Sequence, residues 1–121
     1  MSGRRHEVRV RRAYDEHAAD DGVRVLVDRL WPRGLSKDRA HLDEWRKDVS
    51  PSPELRKWYA HDPERFAEFT ARYEDELKEP ERAEALRHLR ELAEQGTLTL
   101  VTATKRADIS EAAVLAGLLN R

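Results

Sequence analysis

"TLTLVTATK", residues 97–105, decides the fold. Thr97 to Ala103 is short, β-branched and apolar, which reads as a strand. It follows a long helical block and feeds directly into another helical pattern, Glu111 to Leu119. Two further strands are legible near the start of the chain. Glu7 to Tyr14 alternates, with Val8 and Val10 apolar against Glu7, Arg9 and Arg11, so it reads as a half-exposed strand. Val23 to Leu30 is more apolar and therefore more central. Strands on both sides of a helical block imply an α/β fold, with a small mixed, mainly parallel sheet of about three to four strands and helices packed on it. The polar loop Asp15–Gly22 is too short for an ordinary helical crossover, so the first two strands are either antiparallel or not neighbours.

The helical block carries its own start and stop signals. Ser36 can cap a helix running to about Lys47, with Leu42, Trp45 and Val49 facing inward. Ser52-Pro53 and Asp62-Pro63 each combine a capping side chain with proline at the first helical position. The second of these leads into Glu64–Leu77, where Phe66, Phe69, Tyr73 and Leu77 recur at helical spacing. Glu81–Gln95 repeats the pattern with Ala85, Leu86, Leu89, Leu92 and Ala93, and Gly96 is a suitable stop. At 121 residues the chain is read as one domain over 1–121, with residues 1–6 an arm.

Composition narrows the function. The net charge is −1, so there is no global attraction to nucleic acid or acidic lipid. The charge is uneven, however. Arg4, Arg5, Arg9, Arg11 and Arg12 make the start basic, whereas Glu74, Asp75, Glu76, Glu79, Glu81 and Glu84 make a later helix acidic. There is no cysteine, which excludes disulfides, thiolate catalysis and sulfur-ligated metals. No signal-peptide core and no apolar run of ~18 residues is present, so no membrane association and a cytoplasmic location are expected. His6, His17, His41 and His88 have no metal-ligand spacing, and the phosphate-loop, dinucleotide and Gly-x-Ser-x-Gly patterns are missing. Neither a metal nor a cofactor is expected, and nothing in the sequence sets an oligomeric state.

The chemistry gathers at strand ends. Ligands of open α/β sheets bind outside the carboxyl ends of the strands. One strand here ends in Asp28, Arg29, Trp31, Arg33 and Gly34, and the last ends in Thr102, Thr104, Lys105 and Arg106. If the two strands are parallel neighbours, these clusters meet. Arginine offers a planar fork for carboxylate or phosphate, lysine a point charge and threonine a hydroxyl. Gly34 lets a backbone approach a ligand or merely makes the turn. Asp28 can act as a general base, or orient Arg29 or Arg33 by an ion pair. His61, beside the capping Asp62, is apt for proton transfer. The candidate catalytic residues are thus Asp28, Arg33 and His61, and the candidate ligand-binding residues Arg29, Trp31, Gly34, Thr102, Thr104 and Lys105. Trp45 and Trp58 read as core.

The stretches "VRVLVDRLWPRGLSK", "LRKWYAHDPERFAEFTARYEDEL" and "TLTLVTATK" with "AAVLAGLL" resemble the YeaO-like proteins, the DUF 488 family of unknown function. The resemblance runs from about Val8 to Leu119. It implies a small bacterial cytoplasmic α/β protein and brings no established activity. The family motif falls here on Asp28, Arg29, Trp31, Pro32, Arg33 and Gly34, on Trp58, His61, Asp62 and Pro63, and on Lys105. After that lysine this chain departs from the pattern. Arg106 stands where the family usually has an acidic residue, and Ile109 where histidine is frequent. Those differences weaken any role of the last loop in proton transfer or metal binding. The expectation is an anionic small-molecule site, binding phosphate or carboxylate, with or without catalysis. The alternative is a nucleic-acid-associated or regulatory protein using the basic strand with Arg29, Arg33 and Arg106, or an interaction module whose charged helices dock a partner.

Overall fold

A computed structural model describes residues 7–121. The arm expected over residues 1–6, with Arg4, Arg5 and His6, lies outside the described residues. The chain runs β1 (Val8–Arg12), β2 (Val23–Leu26), a one-turn α1 (Lys37–Ala40), β3 (Glu44–Trp45), α2 (Pro53–Tyr59), α3 (Phe66–Glu76), α4 (Pro80–Gln95), β4 (Leu98–Thr102) and α5 (Glu111–Leu119). The four strands form one sheet in the order β1-β4-β2-β3, and every pairing is parallel. The sheet is therefore wholly parallel rather than mixed. Of the two arrangements open to β1 and β2, the structure has the non-adjacent one, with β4 between them. That position explains why all five residues of β4 are buried: an interior strand of a parallel sheet is covered on both faces.

Alternation along the strands divides the apolar side chains between two layers. Val8, Val25, Leu98 and Leu100 face the main core with Phe69, Tyr73, Leu89 and Leu115 from the helices. Phe69 stacks on Tyr59 with ring centroids 4.1 Å apart. Leu26 and Val101 point the other way, with Ala13, beneath Trp31, Leu35 and Leu42. The free edge of β1 is closed at its start by Asn120, whose Oδ1 accepts from the Val8 amide at 3.2 Å while its Nδ2 donates to the Val8 carbonyl at 3.0 Å. Covering edge groups in this way blocks strand addition there. Among the described residues no helix is long and apolar enough to cross a membrane.

The helix expected from Ser36 to Lys47 is largely absent. Ser36 does cap it, accepting from the Arg39 amide. His41 then turns left-handed at φ 51°, and Glu44–Trp45 becomes the edge strand β3. The cause is a long-range ladder. The Arg24 amide donates to the Asp43 carboxylate at 2.9 Å, the Asp43 amide to the Arg24 carbonyl at 2.8 Å, and the Arg46 amide to the Leu26 carbonyl at 2.8 Å. These bonds to β2 replace the ones a continued helix would make. Trp45 is consequently 39% exposed rather than core. Trp58 is only partly buried, beneath the guanidiniums of Arg65 and Arg72.

Asp62 behaves as the cap its sequence suggests, its Oδ1 accepting from the Glu64 amide at 3.0 Å. It opens the 3-10 turn Pro63–Arg65, and α3 begins at Phe66, slightly later than expected. Asp62→Ala should cost about 0.5–2 kcal/mol, and Asp62→Ser should recover most of it because a serine hydroxyl also caps. Urea unfolding of the pair measures this. Equal losses in both variants would show that the carboxylate acts otherwise than as a cap.

Candidate functional site

β2 and β4 are parallel neighbours, with Val25 opposite Leu100 and Leu26 opposite Val101. Their polar carboxyl ends therefore meet. Val27 extends the ladder by one bond, its amide donating to the Val101 carbonyl at 3.1 Å. Asp28, next along, turns its carboxylate onto the neighbouring strand end. Its Oδ1 accepts from the Thr102 hydroxyl at 2.8 Å and its Oδ2 from the Ala103 amide at 2.8 Å. Asp28 thus joins the ends of two strands. The ion pair with Arg29 or Arg33 that the sequence allowed is not formed, and the carboxylate is instead directed to β4 and its exit.

Beyond this junction lies a cavity of about 640 Å³. That is within the ordinary range for small-molecule sites. Asp28, Arg29, Trp31, Arg33, His61 and Thr104 line it, as the sequence suggested. Gly34, Thr102 and Lys105 do not. Thr102 is fully buried and reaches the site through Asp28 and Thr104. Gly34 has φ 77° and open space where a Cβ would stand, so it serves the turn. Lys105 sits in an adjoining groove with Arg106, and the two hollows share Asp28, His61, Ala103 and Thr104.

The wall that carries Arg33 is built locally. The Tyr14 hydroxyl donates to the Arg33 carbonyl at 2.8 Å, and the Trp31 indole to the Leu35 carbonyl at 2.6 Å. Trp45 meets Trp31 edge to face at 5.5 Å and donates to the Asp28 carbonyl at 2.8 Å. These bonds fix the loop after β2 without using any guanidinium. On the opposite side α2 ends in two successive left-handed residues, Ala60 at φ 49° and His61 at φ 57°. Neither is glycine. Such backbone costs on the order of 1–3 kcal/mol per residue and gathers at functional sites. Here it sets His61 at the mouth common to both hollows.

Three lining residues carry no obvious sequence signal: Arg56 and Lys57 on α2, and Glu111 at the start of α5. Glu111 follows the cap Ser110, whose hydroxyl accepts from the Ala113 amide, so in sequence it reads as an ordinary first-turn acid. In the fold its carboxyl meets that of Asp28. Burial first, and then the Asp28 carboxylate, push the Glu111 carboxyl well above its ordinary 4.5, with Arg56 offsetting part of the effect. A carboxyl raised in the folded state contributes stability below its unfolded value, and loses it as pH climbs through the raised one. Glu111→Gln cannot ionise. Its stability relative to the parent protein should therefore grow as pH rises above about 4.5. Urea unfolding at a series of pH values tests this, and a pH-independent difference would contradict it.

The charges around the cavity differ from those elsewhere. Arg106 is tied to Asp108 by two bonds of 3.0 and 2.9 Å. On the basic strand, Arg9 meets Glu7 at 3.1 Å and Asp20 at 3.3 Å, and Arg11 lies 3.5 Å from Asp21. Among the described residues, Arg29, Arg33, Arg56 and Lys57 have no carboxylate within ion-pairing distance. No group of metal-ligating side chains forms among the described residues.

A small, wholly parallel α/β domain with a cation-lined cavity at its strand ends defines the class of protein. Residues 7–121 match the family model described as "Inactive DUF488-N3 subclade", and the chain belongs to the DUF488 family. An uncharacterised protein of Mycobacterium tuberculosis H37Rv is 52% identical over 117 residues, 97% of each chain. The uncharacterised protein YeaO of Escherichia coli K12 is 39% identical over 109 residues, 90% of this chain and 93% of its own. No solved structure matches.

Proposed function

We propose that this protein binds a small phosphate- or carboxylate-bearing molecule in the cavity at the carboxyl ends of β2 and β4. The observation that carries the reading is the set of four cations without an ion-pair partner, Arg29, Arg33, Arg56 and Lys57, around one cavity, whereas the other exposed guanidiniums among the described residues are mostly paired. Unpaired arginines held near one another repel, and an anion relieves that cost while forming charge-assisted hydrogen bonds. Binding without turnover is the form of the reading that we favour. The two bonds Asp28 accepts tie it to β4 and its exit, which gives it a structural role, and the matched subclade carries the description inactive. His61 then contributes a polar wall. The relatives named above are bacterial, and the same proposal sets the protein in a bacterial cytoplasm.

The nucleic-acid reading draws less support. Arg9, Arg11 and Arg106, which it needs, already face carboxylates.

Thermal unfolding at low ionic strength, with inorganic phosphate or citrate added, tests the proposal. A ligand at a hundred times its dissociation constant stabilises by about 2.7 kcal/mol. The melting temperature should rise with either anion, and Arg33→Ala/Arg56→Ala should abolish the rise while leaving the ligand-free transition nearly unchanged. A parent protein that neither anion stabilises, or a double variant stabilised equally, would overturn the reading.

A further inference from the structure

Two carboxyls at the floor of a cavity lined by cations pose a problem, because carboxylates repel anions. The geometry resolves it. Asp28 faces the cavity with both oxygens already accepting, from the Thr102 hydroxyl and the Ala103 amide. Glu111 lies against it, and two carboxyls in contact hold one proton between them. Burial, and then the adjacent Asp28, push the Glu111 carboxyl up. That favours the neutral form of Glu111, whose proton is directed to Asp28. The lining thus combines two kinds of chemistry. Arg33, Arg56 and Lys57 suit an anion, while the Asp28–Glu111 pair, its one proton shared between the carboxyls, offers acceptor lone pairs to a hydroxyl proton. The cavity's 640 Å³ is also far more than a bare phosphate or carboxylate fills. Leu30, 71% exposed, and Trp31 add an apolar flank to the lining.

We propose that the ligand is a phosphomonoester on a hydroxyl-bearing body, a sugar phosphate or nucleotide, whose phosphate lies on Arg33 and Arg56 and whose hydroxyl is held by the Asp28–Glu111 pair. This rests on the anion-binding reading above and specifies its ligand. Asp28 from the end of β2, Arg56 and Tyr59 from α2, His61 beyond it, and Tyr73 from α3 are the titratable and charged groups whose fields act at or beside Glu111.

Calorimetric titrations with inorganic phosphate, ribose 5-phosphate and adenosine monophosphate test it at low ionic strength. Ribose 5-phosphate or the nucleotide should bind the parent protein at least about tenfold more tightly than phosphate, roughly one well-made charged hydrogen bond's worth. A further gain for the nucleotide over ribose 5-phosphate identifies a base on the Leu30–Trp31 flank, and equal affinities identify the sugar phosphate. Glu111→Ala should bring the esters down to the level of phosphate while leaving phosphate binding in place. Glu111→Gln, which keeps an acceptor oxygen for the hydroxyl and a donor toward Asp28, should retain the advantage. Should Glu111→Ala fail to fold, pH decides. The ester advantage should fall with rising pH in the parent and stay level in Glu111→Gln, whereas a fall in both would overturn the assignment. Equal binding of all three ligands to the parent, or an advantage that survives Glu111→Ala, would also overturn it while leaving the anion site standing. Failure of all three to bind would remove the anion site itself.

Discussion

Gly22→Ala should destabilise the protein by about 2–6 kcal/mol, the sum of about 1–3 for backbone strain and about 1–3 for overpacking. Gly22 has φ 68°, a region that side-chain-bearing residues rarely adopt. A Cβ there would stand 2.1 Å from the Thr97 carbonyl oxygen and 2.8 Å from its carbon. Both are backbone atoms and cannot swing aside. That same oxygen accepts from the Val23 amide at 3.1 Å, the bond that opens the pairing of β2 with β4. The substitution therefore acts on the junction that aligns the two strand ends of the cavity. Urea unfolding of the variant gives the loss directly. A midpoint equal to the parent's would mean that the start of β2 does not lie against β4 as described.

The second large effect belongs to Asp21→Asn, with an expected cost of about 3–5 kcal/mol, as for other buried pairs broken on one side. Asp21 and Arg24 are 1% and 3% exposed and meet at 2.7 Å. Arg24 spends its remaining donors on the carbonyls of Ala40 at 3.1 Å and His41 at 3.0 Å, and so carries the chain after α1 across the second face of the sheet. The Asp21 carbonyl accepts from the buried Thr99 hydroxyl at 2.7 Å. Neutralising the carboxylate leaves a guanidinium buried with no counter-charge. Burial alone would raise the Asp21 carboxyl, but the Ala18 amide and Arg24 more than reverse it and hold the group below its ordinary 3.8. A depressed carboxylate contributes stability above its unfolded value and loses it as pH falls through the folded one. The difference between parent and variant should therefore shrink on acidification below about 3.8. A difference unchanged down to the acid limit would show that the pair's charge does not matter.

What the sequence disclosed follows from the range of each interaction. The caps at Ser36, Ser52 and Asp62, the stop at Gly96 and the apolar stripe through Phe69 and Tyr73 depend on residues a few positions apart, and all are present in the fold. The meeting of the Asp28 and Thr102 strand ends was legible too, because both strands are apolar until their last residues. Trp45 was misplaced because the bonds that make β3 come from Arg24 and Leu26, far back in the chain. Asp21 lies in what reads as a polar loop, and only Arg24 packed on it shows a buried ion pair. Glu111 is the most instructive case. Locally it is a capping-turn acid, and only the parallel pairing of β2 with β4 brings Asp28 to its carboxyl. Arg56 and Lys57 are similar, since nothing in their own helix distinguishes a cation facing a cavity from one facing water.

The anion site can be observed residue by residue through backbone amide chemical shifts during a titration with inorganic phosphate at low ionic strength. Binding in the cavity predicts saturable shifts at Arg29, Arg33, Arg56, Thr104 and Glu111, all lost together in Arg33→Ala/Arg56→Ala. Shifts confined to Arg9, Arg11 and Arg12 on β1, or no saturable shift anywhere, would contradict it.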